Sequence, residues 1–173
     1  MKLSKYKSLF EKEFIKDVRP EKDYYLMFKR SKRDKEYSLE SKYFYGLHPP
    51  FTFKMVDGQL NVNVKSNKIK TLYLTYLTLD TKFGSVPKES LVNLENVKKF
   101  YINFDITTNA SVEVIPFIIQ YDLNGKKNMK RITRPMEYFE ADNDVIKLRL
   151  VFKVKGYGNF IIRSIKRRDV EVS

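Results

Sequence analysis

The feature that most limits how this chain can fold is a side-chain period of two. In residues 146–155 (IKLRLVFKVK), Ile146, Leu148, Leu150, Phe152 and Val154 alternate with Lys147, Arg149, Val151, Lys153 and Lys155. In residues 98–106 (KKFYINFDI), Phe100, Ile102, Phe104 and Ile106 alternate with Tyr101, Asn103 and Asp105. Successive side chains of a strand point to opposite faces, so each run reads as a strand with one face on a core and one toward water. Around Asp57-Gly58, a strong hairpin signal, Leu60, Val62 and Val64 oppose Asn61, Asn63 and Lys65.

Other segments fit the same pattern. Residues 69–80 are apolar on both faces, as a central strand would be. Residues 111–122 form a strand in which Pro116 marks an edge or a bulge, followed by an Asn124-Gly125 turn. Residues 24–29 and 37–45 also read as strands, with Gly46, Pro49 and Pro50 breaking the second. Residues 9–18 fit a short helix or a strand, ahead of a turn at 19–23, and 31–35 form a charged loop. The stretch from Arg134 to Asp144 reads as a polar connection, and Gly156-Tyr157-Gly158-Asn159 as a hairpin turn. About ten strands with regular turn chemistry predict an all-β fold, an antiparallel two-sheet β-sandwich of jelly-roll type. We expect a flexible lead-in at 1–9, one domain over 10–168, and a tail or linker at 169–173.

Composition narrows the chemistry. The chain has 34 Lys and Arg against 21 Asp and Glu, a net charge of +13, which suits nucleic acid, an anionic membrane face or an acidic polysaccharide, and also a merely solubilising surface. There is no Cys, so disulfides, thiolate metal sites and Cys nucleophiles are excluded. His48, beside Pro49-Pro50, is the single histidine, which removes multi-histidine metal sites and any defensible Ser-His-Asp order. No Walker loop or dinucleotide fingerprint is present. Asp105 and Glu113 show nothing that would tune one of them as a proton donor for glycoside hydrolysis. Asp142-Asn143-Asp144 offers too few oxygens for Ca²⁺ and reads as a solvated turn. The expectation is a protein without catalysis, metal or cofactor. The opening MKLSKYKSLFEKEF lacks an apolar signal core, and no apolar run approaches the ~18 residues of a membrane span. We therefore expect a cytoplasmic chain or a piece of an envelope-associated one.

The stretch VFKVKGYGNFIIRSIKRR (151–168) contains KGYG, as RNA-recognition domains do. Those domains continue at once with aromatic, aliphatic, any, aromatic. Here Asn159 intervenes, and one extra residue sends Phe160 to the opposite face, which breaks the stacking pair. VIKLRLVFKVKGYGNFIIRSIKR instead resembles the last hairpin of carbohydrate-binding β-sandwich modules of the jelly-roll type. VIPFIIQYDLNGKK resembles their Tyr-Asp-x-Asn-Gly hairpin, and DVRPEKDYYLMFKRS their early turn and strand. The resemblance covers roughly 95–168 well and 10–30 loosely. It implies the sandwich fold and an accessory module of an enzyme acting on bacterial cell-envelope polysaccharide. Such modules often stack sugars on Trp, which is absent here; 12 Tyr supply flat rings instead.

The outward positions give the candidate ligand residues. Tyr101, Asn103 and Asp105 combine a ring with hydrogen-bonding groups, while Lys147, Arg149 and Lys153 form a row of cations, joined by Arg163 on the following strand. If these strands share a sheet, they suit a polymer bearing phosphate or carboxylate. From Val145 to Arg168 there are eight basic residues and no acidic one, a pattern that also serves to protect an edge strand. The basic clusters 29–35 and 126–131 straddle turns and read as solvated loops. Two alternatives remain beside the anionic polysaccharide: a nucleic-acid binder using the same cations, and a structural module that oligomerises or packs on a parent enzyme.

Overall fold

A computed structural model describes residues 34–46, 51–65, 71–79, 82–109 and 111–170. Glu36–Ser173 forms one compact unit. The expected lead-in, the elements read over 9–30, most of the 29–35 cluster, His48 with Pro49-Pro50, and the last three residues lie outside the described residues.

The described residues contain eleven strands: β1 (Lys35–Glu36), β2 (Phe44–Gly46), β3 (Phe51–Val56), β4 (Gln59–Val64), β5 (Thr71–Tyr76), β6 (Lys99–Thr108), β7 (Val112–Asp122), β8 (Gly125–Arg131), β9 (Met136–Glu140), β10 (Lys147–Gly156) and β11 (Gly158–Asp169). Among the described residues, one 3-10 turn at Ser41–Tyr43 is the only helical element. The first sheet runs β3-β4-β11-β6-β9, with β1 pairing β11 off that path, and the second runs β2-β5-β10-β7-β8. Ladders along both paths are antiparallel. This is the expected two-sheet sandwich.

The alternation places most of the core as read: Leu60, Val62, Val64, Phe100, Ile102 and Phe104 of the first sheet and Leu148, Leu150, Phe152 and Val154 of the second share one buried cluster, which Phe160, Ile162, Leu74 and Ile118 complete. Ile106 packs only at its margin, and Ile146, read as inward, lies just before β10 and is exposed. Each such side chain contributes about 1.5–3 kcal/mol by leaving water. Phe104 and Phe152 meet edge-on, 5.9 Å between centroids. Asp57 (φ 51°) and Gly58 (φ 76°) form the β3–β4 turn, both left-handed as a two-residue hairpin loop requires. Pro116 lies inside β7, where its carbonyl accepts from Ile132 N–H. Its nitrogen faces that same side, just past the last β7–β8 pair, so the β10 ladder loses no donor.

Three readings need correction. Residues 37–45 are not one strand: the Ser41–Tyr43 turn interrupts them, and only Phe44–Gly46 joins a sheet. The stretch from Arg134 to Asp144 contains β9, which pairs with β6 and buries Phe139 against Phe100 at 5.2 Å. Most consequentially, β10 and β11 are not a hairpin. They belong to different sheets, and Gly156-Tyr157-Gly158 carries the chain across. Both glycines have positive φ (96° and 128°), and a Cβ on Gly156 would stand 2.1 Å from the Ser111 carbonyl oxygen. The eight cations of 145–168 are therefore divided: Lys147, Arg149, Lys153 and Lys155 on the second sheet, Arg163, Lys166, Arg167 and Arg168 on the first.

Candidate ligand-binding face

Strands β4, β11 and β6 lie side by side in the first sheet, each with its apolar set turned to the core. Their other faces therefore present a shared polar field. The registers place Asn63 beside Asn159, Asn61 beside Ile161, Ile161 beside Thr107, and Lys166 beside Asn103. A bulge between Ile162 and Ser164 interrupts the β11–β6 ladder at Arg163 and sets Ser164 beside Asp105. The extra residue lets Ile165 return to the core while Arg163 stays outside.

Several of these groups hold one another in place. Asn63 Nδ2 donates to Asn159 Oδ1. Arg163 Nε donates to Thr107 Oγ1 at 3.1 Å and its Nη1 to Gln59 Oε1 at 3.4 Å, so the exposed guanidinium spans from β4 to β6. Asn103 Nδ2 donates to the Pro135 carbonyl at 3.3 Å. Loss of hydration raises the Asp105 carboxyl above the usual carboxylate range, while the charges of Arg163 and Lys166 pull it back down. At the β9 margin the rings of Tyr101 and Tyr138 approach to 5.3 Å at 56°. The field thus joins amide donors and acceptors, a forked cation and one carboxylate, bordered by aromatic rings.

The structure brings Tyr101, Asn103, Asp105 and Arg163 together on this face. It does not bring Lys147, Arg149 or Lys153 there, because β10 belongs to the other sheet. Lys147 lines a cleft of about 640 Å³ beside the start of β10, with Lys88, Ser90, Lys98 and Asp144. Lys153 sits half-buried between Tyr73 and Ile115 on the second sheet's outer face.

Arg149 is not on the surface at all; it is 1% exposed. Residues 77–79 and 82–87 lie across its strand as a strap. Arg149 Nε donates to Tyr121 Oη at 2.9 Å and Nη1 to Thr78 Oγ1 at 3.0 Å, with Phe83 stacked at 5.4 Å. Phe83 also packs on Ile119, Tyr121 and Val151, so this part of the outer face is a second small core.

Residues the sequence reading left out of the site are Asn61, Asn63, Asn159 and Lys166. The signal was present for β4, where Asn61 and Asn63 alternate against Leu60, Val62 and Val64 just as Asn103 alternates in β6. At Asp142 and Asp144, Lys127 Nζ stands 3.4 Å and 2.6 Å from their carboxylates, an internal cation in the loop weighed for Ca²⁺.

No family model matches the sequence, and no curated protein matches it either. Among solved structures, the chain is similar to one in the "Glycosylation Associate Protein (Gap123) complex from Streptococcus agalactiae", with a TM-score of 0.53 and 8% identity. That match covers 81% of this chain but 47% of the other, so the chain spans about half its length. A second match is to the structure of accessory secretory protein 1, 2 and 3 in Streptococcus pneumoniae: TM-score 0.51, 12% identity, 73% of this chain and 90% of that one. A family 11 carbohydrate-binding module from Clostridium thermocellum, solved with a β-1,3-1,4-linked tetrasaccharide, is also similar: TM-score 0.45, 16% identity, 81% and 98% covered.

Proposed function

We propose that this chain is a non-catalytic glycan-binding accessory module that holds an anionic polysaccharide on the outer face of β4, β11 and β6. The observation that carries the reading is the convergence of Asn63, Asn159, Asn103, Asp105 and Arg163 on one outer sheet face. Amides both donate and accept, which matches the paired hydroxyls of a sugar. The Arg163 fork suits a carboxylate or phosphate along the polymer, and Lys166 adds a point charge. The fold shared with a chain of a glycosylation-associated complex supports an accessory role beside enzymes that make or modify glycans. Individual contacts of this kind are weak, and tethering to a partner would raise the effective concentration.

The test is calorimetric titration at physiological salt with polygalacturonate, a glycerol-phosphate polymer, a neutral β-glucan and oligo(dT). Binding to the anionic glycans, weakened on the order of tenfold in Asn159→Ala and Arg163→Ala, supports the proposal. Equal binding of oligo(dT) with the same steep salt slope, and no effect of either substitution, would leave charge alone and remove the site.

A further inference from the structure

The second sheet ends in β8, and the edge of that strand is open over a short, bounded segment. Ile132 N–H bonds to Pro116 O, so the pairs Lys130–Ile118 and Asn128–Gln120 are those that exchange bonds with β7. By the alternation of an antiparallel ladder, the N–H and C=O of Met129 and Arg131 point away from the sheet. Among the described residues, nothing pairs with them on that side. Toward the strand start, a bulge opposite Gln120/Tyr121 offsets the ladder, and Lys126 N–H is taken by the Gly84 carbonyl at 3.2 Å. The strap therefore closes the first part of the edge and leaves Met129–Arg131 free.

Side chains mark this segment by charge. Lys126, Met129 and Arg131 lie opposite Tyr121, Ile119 and Phe117 of β7, on the outer side of the sheet. Met129 is 44% exposed. The other two cations of the strand are already matched: Lys127 by Asp142 and Asp144, and Lys130 by Glu137 at 3.6 Å. The open edge thus presents cation, apolar, cation beside two unpaired backbone residues.

The geometry points to β8 as a docking edge for an extended acidic segment of a partner protein, which adds as a further strand. Its acidic side chains would meet Lys126 and Arg131 and an apolar one would cover Met129. A second copy is a poor occupant: pairing β8 with β8 sets like charges against each other between two chains of +13. Backbone pairing supplies affinity here and the charges select the sequence, as in strand addition generally. This edge lies on the opposite sheet from the glycan face and does not depend on it.

The probe is a short synthetic peptide in which Glu alternates with Val, against one of the same composition with Glu and Val in separate blocks. Fluorescence anisotropy should show binding of the alternating peptide alone. Amide exchange at Met129 and Arg131 of the unaltered protein should slow on adding it. Met129→Pro removes an outward N–H without touching the β7 ladder, and should abolish binding with the fold retained by circular dichroism. Arg131→Glu should weaken it on the order of tenfold. Equal binding of both peptides, unchanged exchange at these amides, or wild-type affinity in folded Met129→Pro would each overturn the inference. If Met129→Pro does not fold, the exchange measurement and Arg131→Glu decide. Slowed exchange with rising protein concentration alone, with dimers by light scattering, would assign the edge to self-association instead.

Discussion

Replacing Arg149 by alanine should cost the domain about 3–5 kcal/mol while leaving glycan binding by the folded molecule intact. The guanidinium makes two short charge-assisted bonds, to Tyr121 Oη at 2.9 Å and Thr78 Oγ1 at 3.0 Å. Bonds to a charged group are worth about 1.5–3 kcal/mol each when buried. Longer approaches reach the Lys82 and Ser85 carbonyls at 3.4 and 3.5 Å, and the ring of Phe83 lies at 5.4 Å, a cation–π contact of about 0.5–2 kcal/mol. The loss is tempered because Tyr121 Oη still donates to Phe83 O at 2.7 Å and Thr78 still shares a bond with Thr75 at 2.9 Å. The total is a large share of the ~5–15 kcal/mol that holds a domain together. Urea unfolding followed by circular dichroism measures it, and hydrogen exchange should show the strap over 82–87 losing protection first. A change below about 1 kcal/mol with unchanged exchange would refute the clamp. Loss of glycan affinity in variant protein that remains folded would show instead that the ligand engages the second sheet.

Gly156→Ala should cost more than about 2 kcal/mol in a thermal or urea experiment, because its φ of 96° and the Ser111 carbonyl 2.1 Å from the new Cβ leave no relaxed position. A change within ~0.5 kcal/mol would mean the crossover is misplaced. Burial pushes the Tyr37 hydroxyl up to about 12, against the pull of Arg167, and burial pushes Tyr76 up as well. A proton held more tightly in the folded chain stabilises it below the unfolded pKa near 10 and loses that contribution as pH rises through the folded value. Unfolding free energies from urea titration should therefore fall between pH 10 and 12, by about 2 kcal/mol from Tyr37. The fall should be smaller in Tyr37→Phe, and an identical fall there would exclude Tyr37 as its source.

The inward faces of β4, β6 and β10 were legible in the sequence because burial and the period of two coincide there: Phe100, Ile102 and Phe104 have no alternative face. Partnership between strands was not legible. Two glycines around Tyr157 announce positive φ, and positive φ serves a hairpin and a crossover alike. Nor does alternation say what lies over the outer side. Arg149 does point away from the main core, as read, but Thr78, Phe83 and Ser85 cover it. The hint was Val151, an apolar residue among outward cations, which needed Phe83 as its cover. β9 was lost because only Met136–Glu140 pairs, bounded by Pro135 and Ala141, and a five-residue strand with two glutamates shows no clean alternation. The site was half legible: β6 and Arg163 were found, while Asn63 and Asn159 became neighbours only through the β4–β11 ladder.

The crossover at Gly156–Gly158 has a functional consequence that bulk charge conceals. One unbroken basic run in sequence becomes two surfaces facing away from each other, so a polyanion cannot engage Lys153 and Arg163 as one row. Binding driven by net charge would respond to substitution of either. Binding driven by the amide field responds to Arg163→Ala and ignores Lys153→Ala. Strand addition at β8 responds to Met129→Pro and ignores both. The three variants, each measured against the anionic glycan and the acidic peptide, therefore separate a charged surface from two distinct sites.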